Sequence, residues 1–224
     1  MAGLGPVWPG GPDGLVIVLG LAGLAWGVAA DRIAARWPAH EDGSVRGVDW
    51  RTLVVAVFGT VALAALPARF GDTGERLLFG TFFAALVLLM ATDLDQKLMP
   101  DVITLPLIIL GAAVLVWGGD SLVSRSPWWL AIVGAVVVPG LLFAASLPFG
   151  AGAFGLGDVK FLAGVGLLVG FIRLVIAVFV GALISGLVIF VLLAARRITL
   201  RSYIPFGPFL IIGAVWSALI AATT

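Results

Sequence analysis

Long apolar segments recur along almost the whole chain, and they constrain its fold more than any other feature. About eight such segments lie between charged or proline-containing breaks. They are Leu15–Ala30, Thr52–Leu66, Leu77–Thr92, Val102–Trp117, Trp128–Leu147, two segments within Val159–Ala195, and Ile204–Ala222. Because roughly 17–25 apolar residues span a bilayer as a helix, this pattern predicts an all-α polytopic integral membrane protein. We expect about eight transmembrane or membrane-embedded helices.

The composition supports this fold class. Of the 224 residues, 62% are hydrophobic and 11% are charged, whereas soluble domains have about 45–50% and about 25% respectively. So little charge cannot cover the surface of a soluble protein of this size, which excludes soluble enzymes and disordered chains. The net charge of +1 gives no electrostatic reason to expect a nucleic-acid partner. The partner that the composition predicts is the lipid bilayer.

The run Val159–Ala195 is too long for one helix, and Gly170 and Arg173 divide it into a short helix and a full span. No repeat or low-complexity linker interrupts the succession of apolar segments. We therefore interpret residues 1–224 as a single membrane domain. Within this domain, residues 1–51 contain the first helix and a short loop.

The distribution of Lys and Arg predicts the orientation, because basic residues favour cytoplasmic loops. Of the 13 Lys and Arg, nine fall in loops on one predicted side and four on the other. The richer side has Arg32, Arg36, Arg46, Arg51, Lys97, Lys160, Arg196, Arg197 and Arg201, and the poorer side has Arg69, Arg76, Arg125 and Arg173. This count predicts a cell inner or plasma membrane protein with its N-terminus outside. The loops at 31–51, 93–101, 149–158 and 196–203 then face the cytoplasm.

Two acidic clusters border apolar segments on this predicted cytoplasmic face. They are Asp93-Leu-Asp95-Gln-Lys-Leu-Met-Pro100-Asp101 and Gly155-Leu-Gly157-Asp158-Val-Lys160. Charge close to the membrane interior is costly, so such carboxylates are candidate functional groups. Two carboxylates held close in a poorly solvated site share one proton. One can then act as base toward a water molecule while the protonated partner polarises a carbonyl.

Asp93 ends one apolar run and Asp158 begins another, so this pair is the candidate for such chemistry. Asp158 occupies a predicted N-cap position for a helix that starts at Val159. Gly155 and Gly157 have no side chains, so a substrate backbone could approach closely beside Asp158.

The same carboxylates are compatible with non-catalytic roles. They could cap helices, remain solvated at the interface, relay protons in a transporter, or belong to a secretion-system scaffold. A transporter would have charged positions deep inside its spans, whereas most carboxylates of this chain lie near segment ends. The chain has no cysteine and a single histidine, His40. We therefore expect no metal site and no cofactor, and any catalysis must use carboxylates, lysine, hydroxyl groups or the backbone.

Three blocks together resemble a known family. They are the Asp93–Asp101 block, which continues as Val-Ile-Thr-Leu-Pro106, the Gly155-Leu-Gly157-Asp158-Val-Lys160 block, and Ile204-Pro205-Phe-Gly-Pro208-Phe-Leu210. In order and separation they resemble the type IV leader peptidase family, the prepilin peptidases, which are GxGD intramembrane aspartic proteases. The resemblance covers roughly residues 75–215, which we expect to form the peptidase core.

The resemblance implies that Asp93 and Asp158 are the two catalytic aspartates. It implies supporting or substrate-binding roles for the neighbouring motif residues, which are Asp95, Pro100, Asp101, Gly155, Gly157 and Lys160. The implied activity is cleavage of the leader of prepilin, pseudopilin or Flp-type precursors on the cytoplasmic side, typically after glycine. We also expect Pro205–Pro208 to bend the last helix near the site.

The N-terminal part departs from the family pattern. Gly23–Asp31 and Arg36-Trp-Pro38 resemble the family's first helix and its Asn-x(4)-Arg-x-Pro motif, with Asp31 where Asn is usual. Longer members then have a cytoplasmic domain with two Cys-x-x-Cys pairs, whereas His40–Arg51 is far too short for one. The missing cysteines exclude that zinc site. They also argue against the N-methyltransferase activity of the bifunctional members, so we expect a short form of the family.

Overall fold

The computed structural model describes residues 12–39, 43–118, 123, 127–149, 154–199 and 204–220. These residues form α-helices and one 3-10 turn, with no β-strand among them. In chain order the helices are α1 (Pro12–Ala34), α2 (Trp50–Ala64), α3 (Leu66–Arg69), α4 (Thr73–Gln96), α5 (Asp101–Gly118), α6 (Trp128–Ser146), α7 (Leu156–Val169), α8 (Phe171–Ala194) and α9 (Gly207–Leu219). His40, Arg125 and Arg201 lie outside the described residues.

Six of the described segments are long and apolar enough to cross a membrane. They are α1, α2 continued through α3, α4, α5, α6 and α8. Helices α7 and α9 are shorter, with 14 and 13 residues. The predicted fold class, an all-α polytopic integral membrane protein, is therefore confirmed.

The chain forms two compact units, Met1–Asp95 and Gln96–Thr224. The first contains α1 to α3 and nearly all of α4, and the second contains α5 to α9. The interpretation of residues 1–224 as one domain, with a core at 75–215, stays a prediction.

In the first unit, glycines bring the backbones of α1 and α2 into contact. A Cβ atom added to Gly23 would lie 2.1 Å from the carbonyl oxygen of Gly59, and one added to Gly27 would lie 2.6 Å from the Cα atom of Ala56. This is the close approach that small residues spaced four apart permit between membrane helices. The glycine pair in α1 therefore serves packing between α1 and α2.

In the second unit, Gly170 separates α7 from α8, as the sequence predicts. Its φ of 87° lies in the left-handed region, which glycine adopts without a Cβ penalty. The buried Arg173 then donates hydrogen bonds from Nη1 to the carbonyl oxygens of Ser217 and Ile220, at 2.8 and 2.6 Å. These bonds satisfy backbone acceptors at the C-terminal end of α9, which the helix itself leaves open.

The expected bend at Pro205–Pro208 is wrong. Helix α9 begins at Gly207, and Pro208 lies in its first turn. Proline is tolerated there because its missing N–H would have no partner within the helix. The Pro-Phe-Gly-Pro segment therefore starts the last helix and does not bend it.

Candidate active site

Asp93 lies in the last turn of α4, and only 6% of its surface is exposed. The preceding residue, Thr92, is fully buried and donates its hydroxyl to the carbonyl oxygen of Leu89 at 3.1 Å. Helix α4 ends at Gln96, and Lys97 adopts a φ of 55°. The long apolar helix thus delivers a buried carboxyl at its C-terminal end, as the sequence predicts from the end of the apolar run.

Asp95 lies in the same turn and has a different environment. Residues two apart on a helix point to different faces. The Asp95 carboxylate accepts hydrogen bonds on Oδ1 from Arg46 Nε at 2.5 Å and from Arg51 Nη1 at 2.9 Å. Its side chain is 1% exposed. Asp95 is therefore held in a buried charge cluster within the first unit.

That cluster centres on Arg46, and sequence reasoning missed it. We define the Arg46 cluster as Asp31, Arg32, Arg46, Asp49, Arg51, Thr52 and Asp95. Arg46 donates from Nη2 to Asp31, from Nη1 to Asp49 at 2.6 Å, and from Nε to Asp95. In the sequence these arginines stand out only as topology signals. The adjacent opposite charges of Asp31 and Arg32 at the end of an apolar run were the available sign of a charge cluster.

The remaining bonds of the Arg46 cluster join α1 to α2. Asp31 is fully buried and accepts from the Thr52 hydroxyl at 2.6 Å. Asp49 is the N-cap of α2 and accepts from the Arg51 backbone N–H at 2.8 Å. Arg32 bonds Asp31 and also donates to the carbonyl oxygens of Arg46 and Gly47 at 3.0 Å.

Asp158 lies at the third position of α7, in the second unit. The predicted N-cap position is wrong, because α7 begins at Leu156 and its N-cap is Gly155. The Asp158 carboxylate accepts a hydrogen bond from the Gly155 backbone N–H at 3.1 Å. This bond satisfies one of the N–H groups that a helix start leaves open. Burial raises the pKa of the half-buried Asp158 carboxyl, and the bond from Gly155 opposes that rise.

Gly157 packs against the segment that precedes α5. A Cβ atom added to Gly157 would lie 2.9 Å from the Cβ atom of Met99. Pro100, which is buried, accepts hydrogen bonds on its carbonyl oxygen from the N–H groups of Ile103 and Thr104. Gly157 therefore keeps the start of α7 close to the start of α5.

Asp101 and Lys160 form a second link between the same two helix starts. Lys160 Nζ contacts both carboxylate oxygens of Asp101 at 2.7 Å. The lysine side chain is 35% exposed and the aspartate side chain 56%. The pair joins the first turn of α5 to the turn of α7 that carries Asp158.

The structure thus brings together some of the predicted site residues within each unit. Asp93 and Asp95 share a helix turn in the first unit, and the other six residues belong to the second. There, Gly155 contacts Asp158 and Lys160 contacts Asp101. Among the residues that the structure describes, no cluster of three His, Cys, Asp or Glu side chains could hold a metal ion. The chemistry that these side chains offer is carboxyl acid–base chemistry.

A model of the type IV leader peptidase family matches residues 80–191, a segment that contains both Asp93 and Asp158. The chain is 33% identical to a prepilin leader peptidase/N-methyltransferase of Burkholderia pseudomallei (strain K96243), over 72% of this chain and 52% of that protein. It is 32% identical to one of Aeromonas salmonicida, over 84% of this chain and 59% of that protein.

A relative with the same name in Bacillus subtilis (strain 168) is 30% identical over 70% of this chain and 60% of that protein. The chain therefore spans between about half and three fifths of the length of these curated relatives. No solved structure matches it. Because the family model matches half of its residues, the chain belongs to the type IV leader peptidase family.

Proposed function

We propose that this protein is an intramembrane aspartic endopeptidase that cleaves the leader peptide of prepilin-like precursors. One observation carries the proposal: the segment that matches the family, residues 80–191, contains two carboxylates in the terminal turns of helices. Asp93 lies buried at the end of α4, and Asp158 lies half-buried at the start of α7. The curated relatives named for prepilin leader cleavage support the substrate class.

In the proposed reaction, Asp93 and Asp158 share one proton. The ionised carboxylate removes a proton from water while the water oxygen attacks the carbonyl carbon of the scissile peptide. The protonated carboxyl donates to the carbonyl oxygen, where negative charge develops. The peptide nitrogen then takes up a proton and the carbon–nitrogen bond breaks, which leaves a leader carboxylate and a new amino terminus.

The environment of Asp158 supports its part in this reaction. A carboxyl whose pKa is raised by burial holds its proton at a higher pH than an exposed one, as a proton-sharing pair requires. The neighbouring Gly155 carries no side chain that would occupy the space beside the carboxyl, whereas the missing side chain of Gly157 leaves room for Met99 and not for a substrate. We propose that the substrate backbone approaches beside Gly155.

We further propose that the N-terminus lies outside and that Asp93 and Asp158 face the cytoplasm. The excess of Lys and Arg in the loops around 31–51, 93–101, 149–158 and 196–203 supports this orientation. The chain has no cysteine, so a single introduced cysteine is its only thiol. The labelling of that thiol then shows on which side of the membrane its loop lies. Val45→Cys, at an exposed position, should react with a membrane-impermeant maleimide only after the membrane is opened. Gly71→Cys, where a Cβ atom meets open space, should react in intact cells.

The proposed activity is tested by co-expressing the protein with prepilin-like precursors from the same genome and determining the mature N-termini by mass spectrometry. We expect shortened products that begin directly after the leader glycine. The matched control is the double variant Asp93→Asn/Asp158→Asn, which should insert into the membrane and leave every precursor intact. Precursors that stay intact with the unaltered protein, or are cleaved equally by the control, would contradict the proposal.

A further inference from the structure

The Arg46 cluster balances its own charges. It contains the three carboxylates of Asp31, Asp49 and Asp95 and the three guanidinium groups of Arg32, Arg46 and Arg51. The side chain of Asp31 is fully buried and that of Asp95 is 1% exposed. Removing charges from water is compensated only when every partner is in place with good geometry. The cluster therefore favours one arrangement of the chain segments that supply its members.

Those segments are the last turn of α1, the exposed stretch 43–48, the first turn of α2 and the last turn of α4. Within 43–48 every residue except Arg46 is exposed, and Arg46 has 14% of its side chain accessible. All three guanidinium nitrogens of Arg46 donate to a different carboxylate. A planar guanidinium can make this set of bonds, whereas a lysine ammonium offers one nitrogen. Arg46 is thus the residue through which the three helix ends are joined.

The last turn of α4 needs such a constraint. Its carbonyl groups lack N–H donors further along the helix, and helix ends fray. The helix stops at Gln96, one residue after Asp95, and Lys97 turns the backbone into the left-handed region. Asp93 lies in this same turn, two residues before Asp95. Holding Asp95 therefore holds the backbone that carries Asp93.

We propose that Arg46 and Asp95 are positioning residues for Asp93 in the leader-cleaving reaction. The proposal rests on the proposed function. It gives the Arg46 cluster the task of positioning Asp93, which the balance of its charges does not by itself imply. Asp95 acts through the backbone of α4 and takes no proton from water or substrate. A displacement of about 1 Å at a reacting group costs on the order of a hundredfold in rate.

The kinetic test uses Arg46→Lys, Asp95→Asn and the double variant in purified protein with a prepilin-like peptide. Arg46→Lys keeps the positive charge but offers one nitrogen where the guanidinium offers three, and Asp95→Asn keeps an acceptor oxygen but loses the negative charge. Both changes therefore weaken the link between Arg46 and Asp95 and leave the ion pair of Arg32 with Asp31 in place. We expect kcat to fall about tenfold to a hundredfold in each single variant, with KM within about twofold of the unaltered value. The double variant should have a kcat no lower than that of the more impaired single variant, because both changes break the same link.

The matched control is Arg197→Lys, the same exchange at an exposed arginine after α8. It should leave kcat and KM unchanged. The pH profile of kcat should keep both limbs at their positions in Asp95→Asn, since a positioning residue does not itself titrate in the reaction. Loss of one limb would show that Asp95 is catalytic and overturn the proposal. Unchanged kcat in Arg46→Lys, or losses that multiply in the double variant, would overturn it equally.

A second measurement does not depend on peptidase activity. In this cysteine-free chain, Asp93→Cys reports the exposure of position 93 through its rate of reaction with a water-soluble maleimide. Adding Arg46→Lys or Asp95→Asn should raise that rate severalfold, and adding Arg197→Lys should leave it unchanged. An unchanged rate in all three backgrounds would contradict positioning even if the protein cleaves prepilins. Cleavage by Asp93→Asn would instead contradict the proposed function and leave this labelling result standing.

Discussion

The last turn of α4 and the first turn of α7 each carry one of the two proposed catalytic aspartates, and they are held in different ways. Asp93 shares its turn with Asp95, which is fixed by ion pairs to Arg46 and Arg51. Asp158 is fixed by one backbone hydrogen bond from Gly155 and by the close contact of Gly157 with Met99. The comparison teaches that similar acidic motifs at helix ends can depend on charge at one site and on steric fit at the other.

Opposite changes in stability should follow when each turn loses a negative charge. Asp95→Asn removes one partner of a buried ion pair, a change that costs up to about 3–5 kcal/mol in the free energy of unfolding. We expect it to lower the thermal unfolding midpoint, measured by tryptophan fluorescence in detergent at pH 7.

Asp158→Asn should have the reverse effect in the same measurement. A carboxyl whose pKa is raised by folding stabilises the folded state below its unfolded pKa, and this contribution is lost as the pH rises through the raised value. Burial disfavours the ionised carboxyl and the neutral amide carries no such penalty, so Asp158→Asn should unfold at an equal or higher temperature as the pH rises through the raised value. If Asp158→Asn unfolds earlier than Asp95→Asn, the two turns are not held as described.

A substitution that disturbs the steric fit at the first turn of α7 should have a smaller effect. Overpacking costs about 1–3 kcal/mol in the free energy of unfolding. Gly157→Ala places a Cβ atom 2.9 Å from the Cβ atom of Met99, so the starts of α5 and α7 must separate. The matched control is Gly155→Ala, whose Cβ atom would meet Asp158 Oδ2 at 3.4 Å. We expect Gly157→Ala to lower the unfolding midpoint more than Gly155→Ala does. Equal behaviour of the two variants would break the assignment of Gly157 to packing.

The smallest effect is expected at Lys160. Its ion pair with Asp101 is partly exposed, and such pairs contribute about 0–1 kcal/mol. Lys160→Gln should therefore change the cleavage rate less than about fivefold, with a smaller change at high salt because exposed charges are screened. The rate ratio to the unaltered protein at low and high ionic strength checks this. A loss as large as that of an aspartate variant would show that Lys160 acts on the substrate.

Apolar patterning predicted the helices because bilayer thickness and backbone hydrogen bonding leave few alternatives. It also divided α7 from α8 at Gly170, where the backbone requires a left-handed conformation. Patterning placed the boundaries less well. Asp158 lies inside α7 and not at its cap, since Leu156 is already helical although the apolar run begins later. An apolar run ends where lipid contact ends, whereas a helix ends where its hydrogen bonds end.

The motifs predicted the candidate site residues, but they did not predict the Arg46 cluster that holds the turn of Asp93. Arg46 and Asp95 are 49 residues apart, and no local pattern connects them. Arg46 lies in the stretch between α1 and α2 and Asp95 in the last turn of α4, so only the tertiary structure brings them together. The number of Lys and Arg in a loop predicts its side of the membrane. It does not predict which carboxylate each arginine contacts.

The central claim is that Asp93 and Asp158 act together on water. It is tested most directly by the initial rate of leader cleavage in membranes that contain equal amounts of the unaltered protein, Asp93→Asn or Asp158→Asn. Each nearly isosteric amide removes one acid–base group, which should lower the rate by roughly 10²–10⁴-fold. Membrane insertion should be unchanged in both. Cleavage by either variant at the unaltered rate would contradict the account.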